Sequence, residues 1–131
     1  MILIDTNILI AAIRVPDPAP LIAQMRANDG AVCGVVRAEF LHGARTQAGH
    51  LQALTVLNAL GQIPTPEGMW DEVGANLRVL RSQGIAVPFP DAVLATLAIV
   101  NGLELWTRDN HFLLMRNVLP SLRLFPEPAQ P

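Results

Sequence analysis

Short apolar runs alternate along the chain with longer stretches of helical spacing. ILI at 2–4 reads as a buried strand, because a strand covered on both faces is apolar at every position. TNILIAAIR follows at helical spacing, with Thr6 the expected N-cap. PDPAP at 16–20 predicts a turn and LIAQMRAN a helix, which Asn28-Asp29-Gly30 ends. AVCGVV at 31–36 reads as a second buried strand, and RAEFLHGAR as the helix after it. HLQALTVLNALG is a further helix and QIPTP a short extended piece. EGMWDEVGANLRVLRSQG predicts the clearest amphipathic helix, with Trp70, Val73, Leu77 and Leu80 on one stripe. VPFP is a rigid connector into DAVLATLAIVNG, a helix apolar enough to be buried. LELWT predicts a strand, DNHFLLMR a short helix and LRLF an edge strand. PEPAQP at 126–131, half proline, predicts a flexible tail.

Buried strands alternating with helices predict an α/β fold with a parallel sheet covered on both faces. There is no internal repeat and no second composition regime, so residues 1–125 are expected to form one domain. In such sheets sites form at the carboxyl ends of the strands, near a topological switch point.

Composition narrows the classes. Hydrophobic residues make up 51% and charged residues 15%, well below the roughly 25% usual for a soluble domain. Membrane insertion does not explain this, since the longest apolar stretch, AVLATLAIV, is about half the roughly 20 residues a span needs. The N-terminus has no basic region, and Asp5 and Asn7 interrupt its apolar run, so no signal peptide is expected. Apolar surface hidden in an interface is the better account, which predicts an oligomer or a bound partner. Cys33 is the sole cysteine, which excludes a disulfide framework and fits a reducing, cytoplasmic setting. The net charge of −2 comes with nine Arg and no Lys, so chemistry that needs a lysine is excluded.

Four acids stand out by position. Asp5 ends ILI, Glu39 is expected in the first turn of the helix after GVV, Asp91 opens the buried helix, and Asp109 follows LWTR. With parallel strands all four lie at one rim of the sheet. Each alone reads as a helix cap or first-turn charge. Together they would repel one another, and hard cations remove that cost: Mg²⁺ and Mn²⁺ bind through a few carboxylates, waters and substrate phosphate. Such an acidic cluster can assist water to attack a phosphodiester. Other acidic strand-end schemes fail. A phosphoaspartate phosphatase needs an acid where Asn7 stands, a receiver domain needs a lysine, and no G-x-G-x-x-G occurs. His42, His50, His111 and Cys33 show no zinc-ligand spacing.

LIDTNILI, VVRAEFLHGA, PFPDAVLATLAIVNGL and LWTRDNHF, in this order and over about residues 1–125, resemble the PIN-domain nucleases, and within them the small toxins of the VapC type. The resemblance implies a three-layer α/β/α sandwich with a mostly parallel sheet and an Mg²⁺- or Mn²⁺-dependent endoribonuclease. It implies that Asp5, Glu39, Asp91 and Asp109 are the metal-binding and catalytic acids. Asn7 and Thr107 would orient acids or water, Thr6 would cap the first helix, and Arg108 stands where such proteins often carry Arg. Many members have an acid two residues after the fourth; here that residue is His111.

The resemblance further implies a homodimer, an RNA substrate such as a tRNA or rRNA loop, and an antitoxin of the VapB kind seated in an apolar groove. LIAQMRAN and HLQALTVLNALG are the candidate dimer helices. Arg14, Arg37, Arg45, Arg78 and Arg81 are candidate RNA contacts. Two alternatives stand beside this reading: an RNA-processing PIN nuclease without a toxin role, and a catalytically silent PIN scaffold that binds a partner.

Overall fold

A computed structural model describes residues 1–127. The expectation of a flexible tail falls mostly on 128–131, outside the described residues. Among the described residues are five strands: β1 (Ile2–Ile4), β2 (Gly30–Cys33), β3 (Gly61–Ile63), β4 (Glu104–Trp106) and β5 (Arg123–Leu124). Seven helices connect them: α1 (Thr6–Arg14), α2 (Ala19–Ala27), α3 (Gly34–His42), α4 (Gln47–Asn58), α5 (Met69–Ser82), α6 (Phe89–Val100) and α7 (His111–Val118). The strands form one sheet in the order β3-β2-β1-β4-β5, and every pairing is parallel. The result is a three-layer α/β/α sandwich.

The strand order reverses between β1 and β4. From β1 the chain steps outward through β2 to β3; it then returns to place β4 on β1's other side. The crevice between the carboxyl ends of β1 and β4 is therefore the switch point where such sheets bind ligands. The backbone seals this seam at its rim, where the Asp5 amide donates to the Trp106 carbonyl at 2.9 Å.

The core follows from the apolar pattern. Leu3, Ile4, Leu105 and Trp106 are fully buried on the central strands, and Ile8, Leu9, Leu57, Leu80 and Phe112 close over them from the helices. Residues 92–98 of α6 are buried on every side, and the one polar residue among them is satisfied. The Thr96 hydroxyl donates to the Ala92 carbonyl at 2.7 Å and accepts from Asn76 Nδ2 at 2.9 Å. Among the described residues no helix is long and apolar enough to cross a membrane.

Two elements differ from the sequence expectation. The strand read into AVCGVV stops at Cys33, and Gly34, Val35 and Val36 already belong to α3. Val36 is β-branched and favours strand on its own, but here it packs a helix face into the core. Glu39 consequently sits in the second turn of α3, not the first. In α5 the inward stripe runs through Met69, Val73 and Leu80, whereas Trp70 is 52% exposed. The stripe starts one residue earlier than its largest apolar side chain suggested.

Candidate active site

Strand β1 gives way at once to α1, and Asp5 occupies the junction. Its backbone is extended (φ −80°, ψ 156°), so Asp5 is the N-cap, and its Oδ1 accepts from the Thr6 amide at 2.7 Å. The expectation that Thr6 caps α1 is thereby corrected. Thr6 is the first helical residue, and its hydroxyl is turned instead to Glu39 Oε1, to which it donates at 3.2 Å.

The second oxygen of Asp5 faces β4. Asp5 Oδ2 accepts from the Thr107 hydroxyl at 2.8 Å and from Asn7 Nδ2 at 3.3 Å. Thr107 Oγ1 in turn accepts from Asn7 Nδ2 at 3.2 Å and from the Asp109 amide at 3.1 Å. With two N–H groups already aimed at it, Thr107 can direct its single proton only to Asp5. Asn7 completes the link by accepting the Arg108 amide at 3.2 Å.

Asp5 is only 7% exposed, and burial raises its carboxyl pKa to about 6. Its hydrogen bonds from Thr107 and Thr6 oppose that rise, while the negative charges of Asp91 and Glu39 add to it. Asp91 is raised by burial first and by Asp109 as well, against the hydrogen bond from His111. These couplings tie Asp5 to Asp91 and Glu39, and Asp91 to Asp109. The charges of the four acids named from the sequence thus reach one another in pairs, Asp5 with Asp91 and with Glu39, and Asp91 with Asp109.

Asp91 does not cap α6. The N-cap there is Pro88, without a side-chain bond, and Asp91 lies in the first turn with its carboxylate turned to His111. Asp109 Oδ1 accepts from the His111 amide at 2.9 Å, just ahead of α7. His111 Nδ1 lies 3.1 Å from Asp91 Oδ2 and 3.3 Å from Asp109 Oδ1. One donor atom from each of Asp91, Asp109 and His111 falls within 4.8 Å of the others. Ligand spacing along the chain could not find this grouping, because Asp91 and His111 belong to different helices. The available signal was His111 standing where the resemblance expects an acid.

Arg108 points the other way, into the C-terminal segment. Its Nε donates to both carboxylate oxygens of Glu127, at 3.1 and 3.0 Å, and its Nη2 donates to Oε1. Of the candidate RNA-contacting arginines, Arg14 lines a groove of about 290 Å³ together with Glu39 and Phe40. Arg37 donates to Asn58 Oδ1 at 2.8 Å, and Arg78 and Arg81 line a separate cavity beside Ile85 and Val87.

An all-parallel sheet with carboxylates gathered at its switch point defines an acidic site of the kind that suits a divalent cation. The sequence matches the PIN domain family over residues 2–117, and the chain belongs to that family. No curated protein sequence matches it. Among solved structures it is similar to VapBC2 from Rickettsia felis bound to a DNA fragment from its promoter, with a TM-score of 0.78 and 22% identity over 95% of this chain and 98% of that one. It is also similar to FitAcB from Neisseria gonorrhoeae (TM-score 0.74, 16% identity, 96% and 97% covered). VapBC-5 from Mycobacterium tuberculosis, from the VapBC family of toxin-antitoxin systems, matches with a TM-score of 0.68 and 20% identity over 94% and 95%. At these identities the likeness establishes the fold.

The residues fit a divalent cation. The donors are chiefly carboxylate oxygens, which Mg²⁺ and Mn²⁺ prefer. The most buried of them, Asp5, is held in a network that keeps both its oxygens oriented. Burial first, and the charges of Asp91 and Glu39 after it, raise its pKa, a cost that a bound cation would offset.

Proposed function

We propose that the chain is a metal-dependent endoribonuclease toxin of a toxin–antitoxin pair, acting on a phosphodiester of structured RNA such as tRNA or rRNA. The observation that supports this reading is the grouping of Asp91, Asp109 and His111 within 4.8 Å, with Asp5 at the switch point of a PIN-family sheet and Glu39 held by Thr6 beside it. Its similarity to toxin-antitoxin complexes supports the toxin role over a housekeeping one.

In this reading the four acids hold Mg²⁺ or Mn²⁺. When bound, such an ion supplies Lewis acidity toward the phosphodiester and the attacking water. The chain's own residues do the rest. Thr107 and Asn7 fix the Asp5 carboxylate, and Thr6 fixes Glu39. Arg108 stands beside the rim and contacts the RNA backbone once Glu127 yields it.

The protein works as a cytoplasmic homodimer and is silenced by an antitoxin of the VapB kind. Exposed Leu51, Trp70, Phe89, Leu113 and Leu114 supply apolar surface for these contacts. The groove that Glu39 shares with Ile10, Ile13 and Phe40 suits an amphipathic segment that reaches the acids.

The test is incubation of the purified protein with total RNA in Mg²⁺, Mn²⁺ or EDTA, beside Asp5→Asn and Asp109→Asn. Discrete fragments that need metal and vanish in both folded variants are expected. Cleavage that persists in EDTA or in Asp5→Asn would overturn the reading.

A further inference from the structure

We propose that His111 is a nitrogen ligand of the cation site, shared with Asp91 and Asp109, and that it shifts the site's preference from Mg²⁺ toward Mn²⁺. The inference rests on the metal-dependent reading above and adds a donor of a different kind to it.

Three observations carry it. First, the imidazole is presented by its Nδ1 edge, the atom that lies 3.1 Å from Asp91 Oδ2 and 3.3 Å from Asp109 Oδ1. Donors on adjacent corners of an octahedron with bonds of about 2.1–2.2 Å stand about 3.0–3.1 Å apart, so the observed spacings need little change to accept an ion. Second, the backbone is already fixed for this. The His111 amide donates to the same Asp109 oxygen at 2.9 Å, which anchors the ring's attachment point at the start of α7. Third, His111 differs from the other histidines. His42 and His50 join no comparable group among the described residues.

The chemistry of the donor sets the selectivity. Mg²⁺ keeps to oxygen and holds its waters, whereas imidazole nitrogen suits the transition metals, with Mn²⁺ the hardest of them. Replacing an acid by histidine at this position removes one negative charge from the site. It therefore weakens Mg²⁺, which binds mainly by charge, more than Mn²⁺.

The competing account is that His111 only hydrogen-bonds the two carboxylates and never meets the ion. Pulsed EPR of Mn²⁺ bound to the metal-stripped full chain separates the two. Imidazole ligation gives a ¹⁴N modulation, which should be present in the native protein and absent from His111→Ala and His111→Asp. Calorimetric titration with Mn²⁺ and with Mg²⁺ should show the Mn²⁺/Mg²⁺ affinity ratio falling several-fold in His111→Asp. Mn²⁺ bound without ¹⁴N modulation in the native protein would overturn the inference while leaving the metal-dependent reading in place. No Mn²⁺ binding to the native protein would overturn both. The spectrum of the native protein decides the matter even if a variant folds poorly.

Discussion

Thr107 donates its hydroxyl proton to Asp5 Oδ2 at 2.8 Å, joining the ends of β4 and β1 across 102 positions of the chain. Thr107 Oγ1 itself accepts from Asn7 Nδ2 and from the Asp109 amide, so one side chain sets the geometry of three neighbours. Thr107→Val keeps the shape and removes every one of these bonds. It should destabilise the fold by about 1–3 kcal/mol, because a part-buried carboxylate and an amide lose their partners. Metal-dependent RNA cleavage should fall by on the order of 10- to 100-fold, the usual effect of losing a group that orients a metal ligand. Thr107→Ser should retain most of both. Urea unfolding and a cleavage time course check this, and a fully active Thr107→Val would refute it.

The pKa of Asp5, raised to about 6, makes stability depend on pH in a direction that can be worked out. In the unfolded chain Asp5 releases its proton near 3.8; in the folded, metal-free protein it holds it to about 6. Between these values the folded state holds more protons at Asp5, so the Asp5 contribution to stability is fully present below about 4 and is lost as pH rises through about 6. The gap corresponds to about 3 kcal/mol at most, at about 1.4 kcal/mol per pH unit. Asp5→Asn has no such proton to lose. In EDTA the variant should gain on the native protein by roughly this amount between pH 4 and pH 7.5. Mg²⁺ or Mn²⁺ should restore the native protein at neutral pH and leave the variant unmoved. Denaturation midpoints across pH, with and without metal, read both effects.

The layout of the sheet was legible because ILI and AVC are apolar at every position, as strands buried on both faces must be, and LELW departs from this only at the half-buried Glu104 where β4 begins. Three of the acids stood out for a related reason: Asp5, Asp91 and Asp109 stand where an apolar run stops or starts, which points to the rim once the strands are parallel. Glu39 does not, and it lies in the second turn of α3. What failed were local choices that tertiary contacts decide. Val35 and Val36 favour strand, yet the chain turns helical at Gly34 because Val36 fills the core from α3. Thr6 looked like a cap as good as Asp5, but the Trp106 carbonyl holds the Asp5 amide in the extended line of the sheet. The position of His111 beside Asp91 depends on α6 and α7 meeting, which no spacing within the sequence encodes.

Gly30 opens β2 at a point where no side chain fits. A Cβ built there would lie 2.5 Å from Ile4 Cδ1 and 2.8 Å from the Met25 carbonyl oxygen. Ile4 can shift a rotamer, but the Met25 oxygen is backbone and fixed by α2. Gly30→Ala should therefore cost about 1–3 kcal/mol by overpacking. The damage should reach the site, since Ile4 directly precedes Asp5. A thermal melt that equals the native protein's would show that α2 moves away without penalty.

Glu127 occupies the edge of Arg108 that an RNA phosphate would need, through Nε and Nη2 together. Arg108 is 37% exposed and Glu127 19%, so the pair itself should contribute no more than about 1 kcal/mol to stability. Its larger effect is on binding. Glu127→Ala should leave the melting temperature nearly unchanged, release the guanidinium, and tighten RNA binding several-fold. One added phosphate contact to single-stranded RNA should also steepen the salt dependence of log Kd by about 0.7. The measurement is fluorescence anisotropy of labelled RNA in an Asp109→Asn background, where cleavage does not interfere. Arg108→Ala added to Glu127→Ala should abolish the gain. If the gain survives without Arg108, the released charge acts through the general field of the rim, and Arg108 is not the phosphate contact.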